Sequence, residues 1–481
     1  MDVTKVAEVC RRPDGTSRGT AILVAMCFAV LSYSLMQTML VPTITTLQHE
    51  LRTTAALTAW AVLSAPLLAS AVLTPLIGKL GDHHGKRRIL IGVLVVYLVG
   101  TLGALVSWNV GLLIAFRAVQ GVSLGLLPLA FGVLRESLPA DRVASGLALA
   151  SGLVGGSAGL GLVCGGLLVD YVSWRWLFAV GAVLVAVTLG LVLRFVPESR
   201  ERGGGRLDVP GVLLLATSLT ALLLALTQGP ALGWTSPWVW GLFAVAVLAF
   251  AVFLPVEKRT ATPLIDPELL VHRRILPTHL TAVALGAAQF VLFVLLPKFA
   301  ETPRAGVVDY GFGVSVTAVG LIMLPGTLLV LPGSWLAGRI DTRAGPRVPL
   351  ATGLGCVTAG AAALALWHGK IWQLVVFYAV ASVGFGLVMA VLPRLVNAAV
   401  APGQIATANG VNTVARTAGG AVGSQLGAAI LASMPIADST IPSDTAYGFA
   451  FGAAALVALI GVGLAKGIAG EARLGLPARR G

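Results

Sequence analysis

Along almost its whole length the chain reads as long apolar runs divided by short polar segments. The runs are about 20 residues long, the length an α-helix needs to cross the hydrocarbon core of a bilayer. Fourteen can be marked, centred near residues 31, 68, 98, 122, 156, 185, 218, 247, 286, 326, 357, 385, 418 and 456, and the one over 209–227 is the weakest. Several contain Gly or Pro, which membrane helices tolerate where neighbours satisfy the freed backbone groups. The pattern predicts an all-α polytopic membrane protein with 14 transmembrane helices.

Composition sharpens this reading. Of 481 residues, 57% are hydrophobic and only 11% charged, against about 25% charged in soluble domains. The mean hydropathy is +0.91. Three of the four cysteines (Cys27, Cys164, Cys356) sit in apolar runs and Cys10 in a basic N-terminal stretch, so no disulfide framework is visible. Residues 1–18 are polar, unlike a cleavable signal peptide, and read as a short cytoplasmic tail.

The net charge of +13 could suggest nucleic acid, but topology offers a better account. Fourteen spans put both termini on one side. Of the 33 Lys and Arg, 26 then fall on that side, five on the other, and Arg117 and Arg416 inside spans. Basic residues collect in cytoplasmic loops, so both termini are expected in the cytoplasm of a multi-pass protein of the plasma (inner) membrane. No nucleic-acid partner is needed.

The densest polar patch, GKLGDHHGKRR (78–88), lies between the second and third runs. GRIDTRAGPR (338–347) occupies a similar place 260 residues on, with Gly78 and Gly85 matched by Gly338 and Gly345. A second pair of stretches, 121–146 and 384–410, matches at an offset of 263. Parallel halves of this kind are a transporter plan. Eight runs separate the matched elements where a six-plus-six plan needs six. The expected organisation is a tail at 1–18, a six-helix bundle at 19–200, a linker with two extra central helices at 201–260, a second six-helix bundle at 261–468, and a tail at 469–481.

The patch G-x-L-G-D-x-x-G-K-R-R resembles the signature loop of the major facilitator superfamily, with His83 at the family's Arg position. In the second copy Asp341 comes one residue early and Thr342 stands at the Asp position. LLIAFRAVQGVSLG (112–125) looks like the family's fourth-span motif. GLVCGG (161–166) looks like the fifth-span motif of exporters, with Leu162 in place of its Pro. SWRWLF (173–178), VEKRTATPLIDPELL (256–270) and ARTAGGAVG (415–423) resemble the fourteen-helix drug:proton antiporter branch. In SYSLMQTMLVP (32–42), Tyr33 stands where that branch often carries an Asp. No Asp or Glu lies well inside any span, so the usual membrane carboxylate is missing.

Candidate sites follow. Gly78, Asp82, Gly85, Lys86 and Arg87 read as a conformational latch: the carboxylate can accept from the N–H groups of a neighbouring helix N-terminus, and the bases can pair with acids or lipid phosphates. Topology alone would require neither the Asp nor the glycine spacing. Arg117, with Gln120 and Gly121, lies ~12 Å into its span at 1.5 Å per residue. An ionised residue there is costly and usually functional, so this group is the candidate for ion coupling; bracing helix carbonyls is the other reading. Tyr33 and Gln37, four apart on one helical face, and Asn412 with Arg416, are candidates for the substrate cavity. Gly161, Gly165, Gly166, Gly419 and Gly423 have the spacing of close helix packing and are candidates for a gate. His83, His84, His272 and His279 read as residues of loops and the interface. No Walker loop, metal-ligand spacing or catalytic triad appears, so no cofactor, metal or enzymatic activity is expected.

The resemblance implies proton-coupled efflux of hydrophobic or amphipathic drugs by a monomer embedded in the lipid bilayer, with a lipophilic small-molecule substrate and protons as the coupling ion. Two other readings stay open: a facilitator or importer of a sugar or other small solute, and a non-transporting membrane or lipid-handling protein.

Overall fold

The computed structural model describes residues 14–40, 44–53, 57–58, 60–199, 208–260, 263, 275–304, 306, 308–400, 404–436 and 441–467. Both tails beyond these bounds, the 201–207 linker and most of the 261–274 stretch lie outside the described residues.

The apolar runs become long helices. These are α1 (Asp14–Met39), α2 (Ala65–His84), α3 (Lys86–Leu105), α4 (Val110–Ser137), α5 (Ala140–Tyr171), α6 (Arg175–Phe195), α7 (Val209–Leu232), α8 (Pro237–Arg259), α9 (Leu276–Glu301), α10 (Val316–Ala344), α11 (Arg347–Leu366), α12 (Ile371–Ala399), α13 (Ile405–Ser433) and α14 (Asp444–Lys466). A short helix, Ile44–Glu50, follows α1, and a π-helical turn, Trp60–Ser64, leads into α2. Residues Gly121–Gly125 form a 3₁₀ turn in the middle of α4. Local chemistry sets several starts: Asn109, Asp208, Ser315 and Ser443 accept from the N–H three residues on, satisfying a donor the helix leaves free.

Twelve helices of the described residues are long and apolar enough to cross a membrane, and thirteen with the bent pair Trp60–Ser70 and Val72–His84. The expected count of fourteen is not confirmed by that measure. The helix left out is α13, whose polar residues Asn409, Asn412, Thr413 and Thr417 are buried inside the protein. Average hydropathy cannot distinguish a polar face turned to protein from one turned to lipid.

Two hydrophobic cores form. One is built from α1–α6 residues between Ile22 and Val196, joined by Ala406. The other is built from residues between Ala282 and Ala465, joined by Ala148 and Leu162. The second helix of each body crosses the fifth of the other: α2 runs against α13, and α10 against α5. The paired glycines also share a geometry. Gly85 and Gly345, 260 residues apart, both take positive φ, 102° and 77°, between consecutive helices, a conformation other residues avoid.

The remaining pair, α7 and α8, pack on each other, and α7 rests on α2 and α13. The outer surface of α8 carries Trp238, Trp240, Val247, Leu248 and Phe250 exposed, a surface suited to lipid.

Candidate functional site

A cavity lies where the two bodies meet. Its wall is made by Tyr33, Ser34, Gln37 and Thr38 of α1, Leu67 of α2, Leu124 of α4, Val154, Gly155 and Ala158 of α5, Gln289, Phe290 and Phe293 of α9, and Arg416 and Thr417 of α13. Tyr33 and Gln37 share it because they stand one helical turn apart. Ser34 is pinned to α5, donating to the Val154 carbonyl (2.8 Å) and accepting from Ser157 Oγ (2.6 Å). The volume is about 110 Å³, room for a few waters, against roughly 300–1,000 Å³ for a site holding a drug-sized ligand. The bodies are therefore drawn together in this state.

Three of the expected cavity residues, Tyr33, Gln37 and Arg416, do line this space. Asn412 does not: one turn from Arg416, its amide is held by His279 Nδ1 at 3.2 Å. Sequence reading missed Gln289, Phe290 and Phe293. The only signal for Gln289 was a lone polar residue in an apolar run.

At the end of the molecule where the basic loops gather, Asp82 is buried at the tip of α2. Its Oδ2 accepts from Thr407 N and Thr407 Oγ1, both at 3.0 Å, and its Oδ1 from Ala406 N at 3.4 Å. These are donors of the first turn of α13, which belongs to the other body. Lys86 Nζ lies 3.1 Å from Asp82 Oδ1 and 2.5 Å from Glu136 Oε1 of α4, and Ser199 Oγ donates to the far oxygen of Glu136. Gly78 lets the helices meet: a Cβ there would fall 2.7 Å from the Ala406 carbonyl oxygen. Arg87 turns away, donating to Leu193 O of α6 at 3.0 Å. Arg135 adds a second tie between the bodies by donating to Asn397 O. In the second copy Asp341 pairs with Arg394 inside its own body.

Arg117 is buried beside the π-helical turn. Its Nε donates to Ala61 O (3.1 Å), its Nη2 to Val62 O (2.7 Å) and its Nη1 to Gln120 Oε1 (2.6 Å), while Gln120 Nε2 donates to Thr101 Oγ1 (3.0 Å). All three guanidinium nitrogens are engaged and the residue does not reach the cavity wall. Gly121, on the same helix, meets α2; a Cβ there would lie 2.8 Å from Pro66 O.

The expected gate glycines divide by partner. Gly161 and Gly165 face Thr38 and Met39 of α1, and Gly419 and Gly423 face Val283 and Ala287 of α9, each pair inside one body. Only Gly166 of the five meets the other body, at Thr317 of α10, where Gly152, Gly155, Gly156 and Gly159 line the same crossing. A Cβ at Gly423 would fall 2.6 Å from Ala287 Cα. Gly423→Val should therefore cost about 1–3 kcal/mol of overpacking, read as a melting temperature several degrees lower in detergent. An unchanged melting temperature would refute this packing.

Fold and site together define a multi-pass helical membrane protein whose two bodies close around a central cavity, the arrangement of a solute transporter. The sequence profile of the Major Facilitator Superfamily matches residues 26–424, and the chain belongs to that family. It is 27% identical over 370 residues to multidrug resistance protein 3 of Bacillus subtilis (strain 168), covering 76% of this chain and 70% of the relative. It is 31% identical over 373 residues to puromycin resistance protein pur8 of Streptomyces alboniger, covering 75% and 72%. The solved structure of the proton:xylose symporter XylE, bound to 6-bromo-6-deoxy-D-glucose, superposes with a TM-score of 0.66 over 93% of this chain and 95% of that one, at 15% identity, a likeness of fold alone.

Proposed function

We propose that this protein is a secondary active transporter that exports drug-like molecules in exchange for protons by alternating access, with its basic end in the cytoplasm. The observation that carries the reading is the central cavity, set between two bodies that a hydrogen-bonded latch holds together at one end. Rocking about the α2–α13 and α5–α10 crossings would break the Asp82 contacts, open the cavity to the basic end and let a larger ligand in. The relatives named for resistance to several drugs and to puromycin support export. A sugar facilitator fits less well, because the wall is mostly apolar and aromatic.

The proposed division of labour gives α1–α6 and α9–α14 the role of moving bodies, and α7–α8 that of an insert bridging α2 and α13. Fourteen spans, with α13 as a polar-faced central helix, complete this topology. The chain works as a monomer in this reading, since each body has its own core and the cavity is complete within one chain. Arg117 is assigned the bracing of α4 to the turn before α2, through which coupling would reach the cavity.

The test is export from energised cells of dyes carrying positive, negative or no charge, with and without a protonophore. Export of at least one dye above empty-vector cells, abolished by the protonophore, is the expected result. Equal retention of every dye by expressing and empty-vector cells would end this reading.

A further inference from the structure

We infer that the central cavity selects aromatic organic anions, molecules bearing a carboxylate or acidic phenolate on a planar ring system, and rejects lipophilic cations. The inference rests on the export reading above and names its substrate class. Among the described residues the cavity wall carries one charged side chain, Arg416, and no carboxylate or histidine. Its guanidinium has no hydrogen-bond or ion-pair partner among the described residues, and it shares the cavity wall with the Tyr33 phenol.

An unpaired cation at this depth in a membrane protein is costly and is normally neutralised by a counter-ion or by backbone. Arg117 is compensated in that way, by two carbonyls and Gln120. Arg416 keeps its donors for whatever enters. A guanidinium presents a planar fork that matches a carboxylate with two parallel hydrogen bonds. A cationic guest would instead meet a like charge in a medium that screens it poorly.

The rest of the wall fits the same guest. Gln289 Oε1 is buried without a donor, so it can take a hydroxyl hydrogen from the ligand, or its amide can turn and donate. Phe290 and Phe293, with ring centroids 6.4 Å apart, and Tyr33 offer faces and edges for an aromatic system. The present volume of about 110 Å³ admits a carboxylate-sized group, and opening of the basic end would admit its ring.

The test compares fluorescein, an aromatic anion, with ethidium, a permanent aromatic cation, in vesicles containing the full chain. Wild type should move fluorescein at least ten times faster than ethidium. Breaking a buried charge pair carries a penalty of roughly two to four orders of magnitude, so Arg416→Gln should lose at least ~100-fold in fluorescein transport, with Arg416→Lys recovering part of it. Fluorescein should also block transport of a neutral dye by wild type, and this arm does not depend on any variant folding. Transport of ethidium equal to or faster than fluorescein by wild type would overturn the anion assignment and leave the export reading standing. Fluorescein transport unchanged in a folded Arg416→Gln would overturn the role of Arg416. Transport of no dye at all would remove the export reading itself.

Discussion

Asp82→Asn should cut export at least tenfold while leaving the protein folded. The carboxylate accepts from Ala406 N, Thr407 N and Thr407 Oγ1 and carries an ion pair with Lys86. Asparagine keeps the shape but has one accepting oxygen, so its NH₂ faces either the backbone donors or the ammonium. Lys86 would then rely on Glu136 alone. Hydrogen bonds from a helix N-terminus to a charged acceptor are worth about 1.5–3 kcal/mol each, and a net loss of about 2–4 kcal/mol is expected. This loss falls on the state in which α2 and α13 meet, because the Ala406 and Thr407 contacts exist only there; the Lys86 pair lies within one body and is weakened in both states. At about 1.4 kcal/mol per tenfold, the balance between states moves by roughly 30- to 700-fold toward opening at the basic end. The direct measurement is hydrogen exchange at the amides of Ala406 and Thr407, which should accelerate by a similar factor. Wild-type exchange and export together would show that the latch does not set the conformational balance.

Some of this architecture is readable in the sequence because it follows from chain-local chemistry. Apolar length marks a helix in lipid whatever it touches, and the glycine at a forced turn repeats wherever the turn repeats, as at Gly85 and Gly345. The likeness of 78–88 to a signature loop points to Asp82 and its neighbours. What stays hidden depends on partners distant in sequence. Gly165 and Gly166 are adjacent, yet one faces Met39 of its own body and the other Thr317 of the opposite one; spacing tells that helices approach closely, not which helices. Depth in the membrane does not separate Arg117 from Arg416, since both are charged residues inside spans. Their surroundings separate them. Arg117 meets backbone carbonyls exposed by a π-helical turn, and Arg416 meets a cavity. Neither a π-helical turn nor a cavity has a sequence signature. The insert shows the same limit. Asp208 and Glu257 are both buried, and both would contact a Cβ on Gly211, although each stands at a span end where a carboxylate looks like an ordinary loop residue.

Arg117→Ala should lower thermal stability and abolish transport in both the uphill and the downhill direction. The substitution removes a buried cation and leaves Ala61 O, Val62 O and Gln120 Oε1 without the donors they now have. Leaving buried acceptors without their donors costs about 1–3 kcal/mol each, together a large share of the roughly 5–15 kcal/mol that holds a folded domain together. Lysine should not rescue it, because a single ammonium cannot reach two successive carbonyls and an amide oxygen with the geometry of a planar fork. The effect should reach the cavity mechanically. Arg117 fixes α4 to the turn that enters α2, and α2 carries both Leu67 of the cavity wall and Asp82 of the latch. If Arg117 instead carried the coupling proton, the alanine variant would keep its melting temperature and its downhill dye exchange and lose only the protonophore-sensitive uphill component. Measuring all three quantities on the same preparation separates the two roles. The engagement of every guanidinium nitrogen away from the cavity predicts that all three fall together.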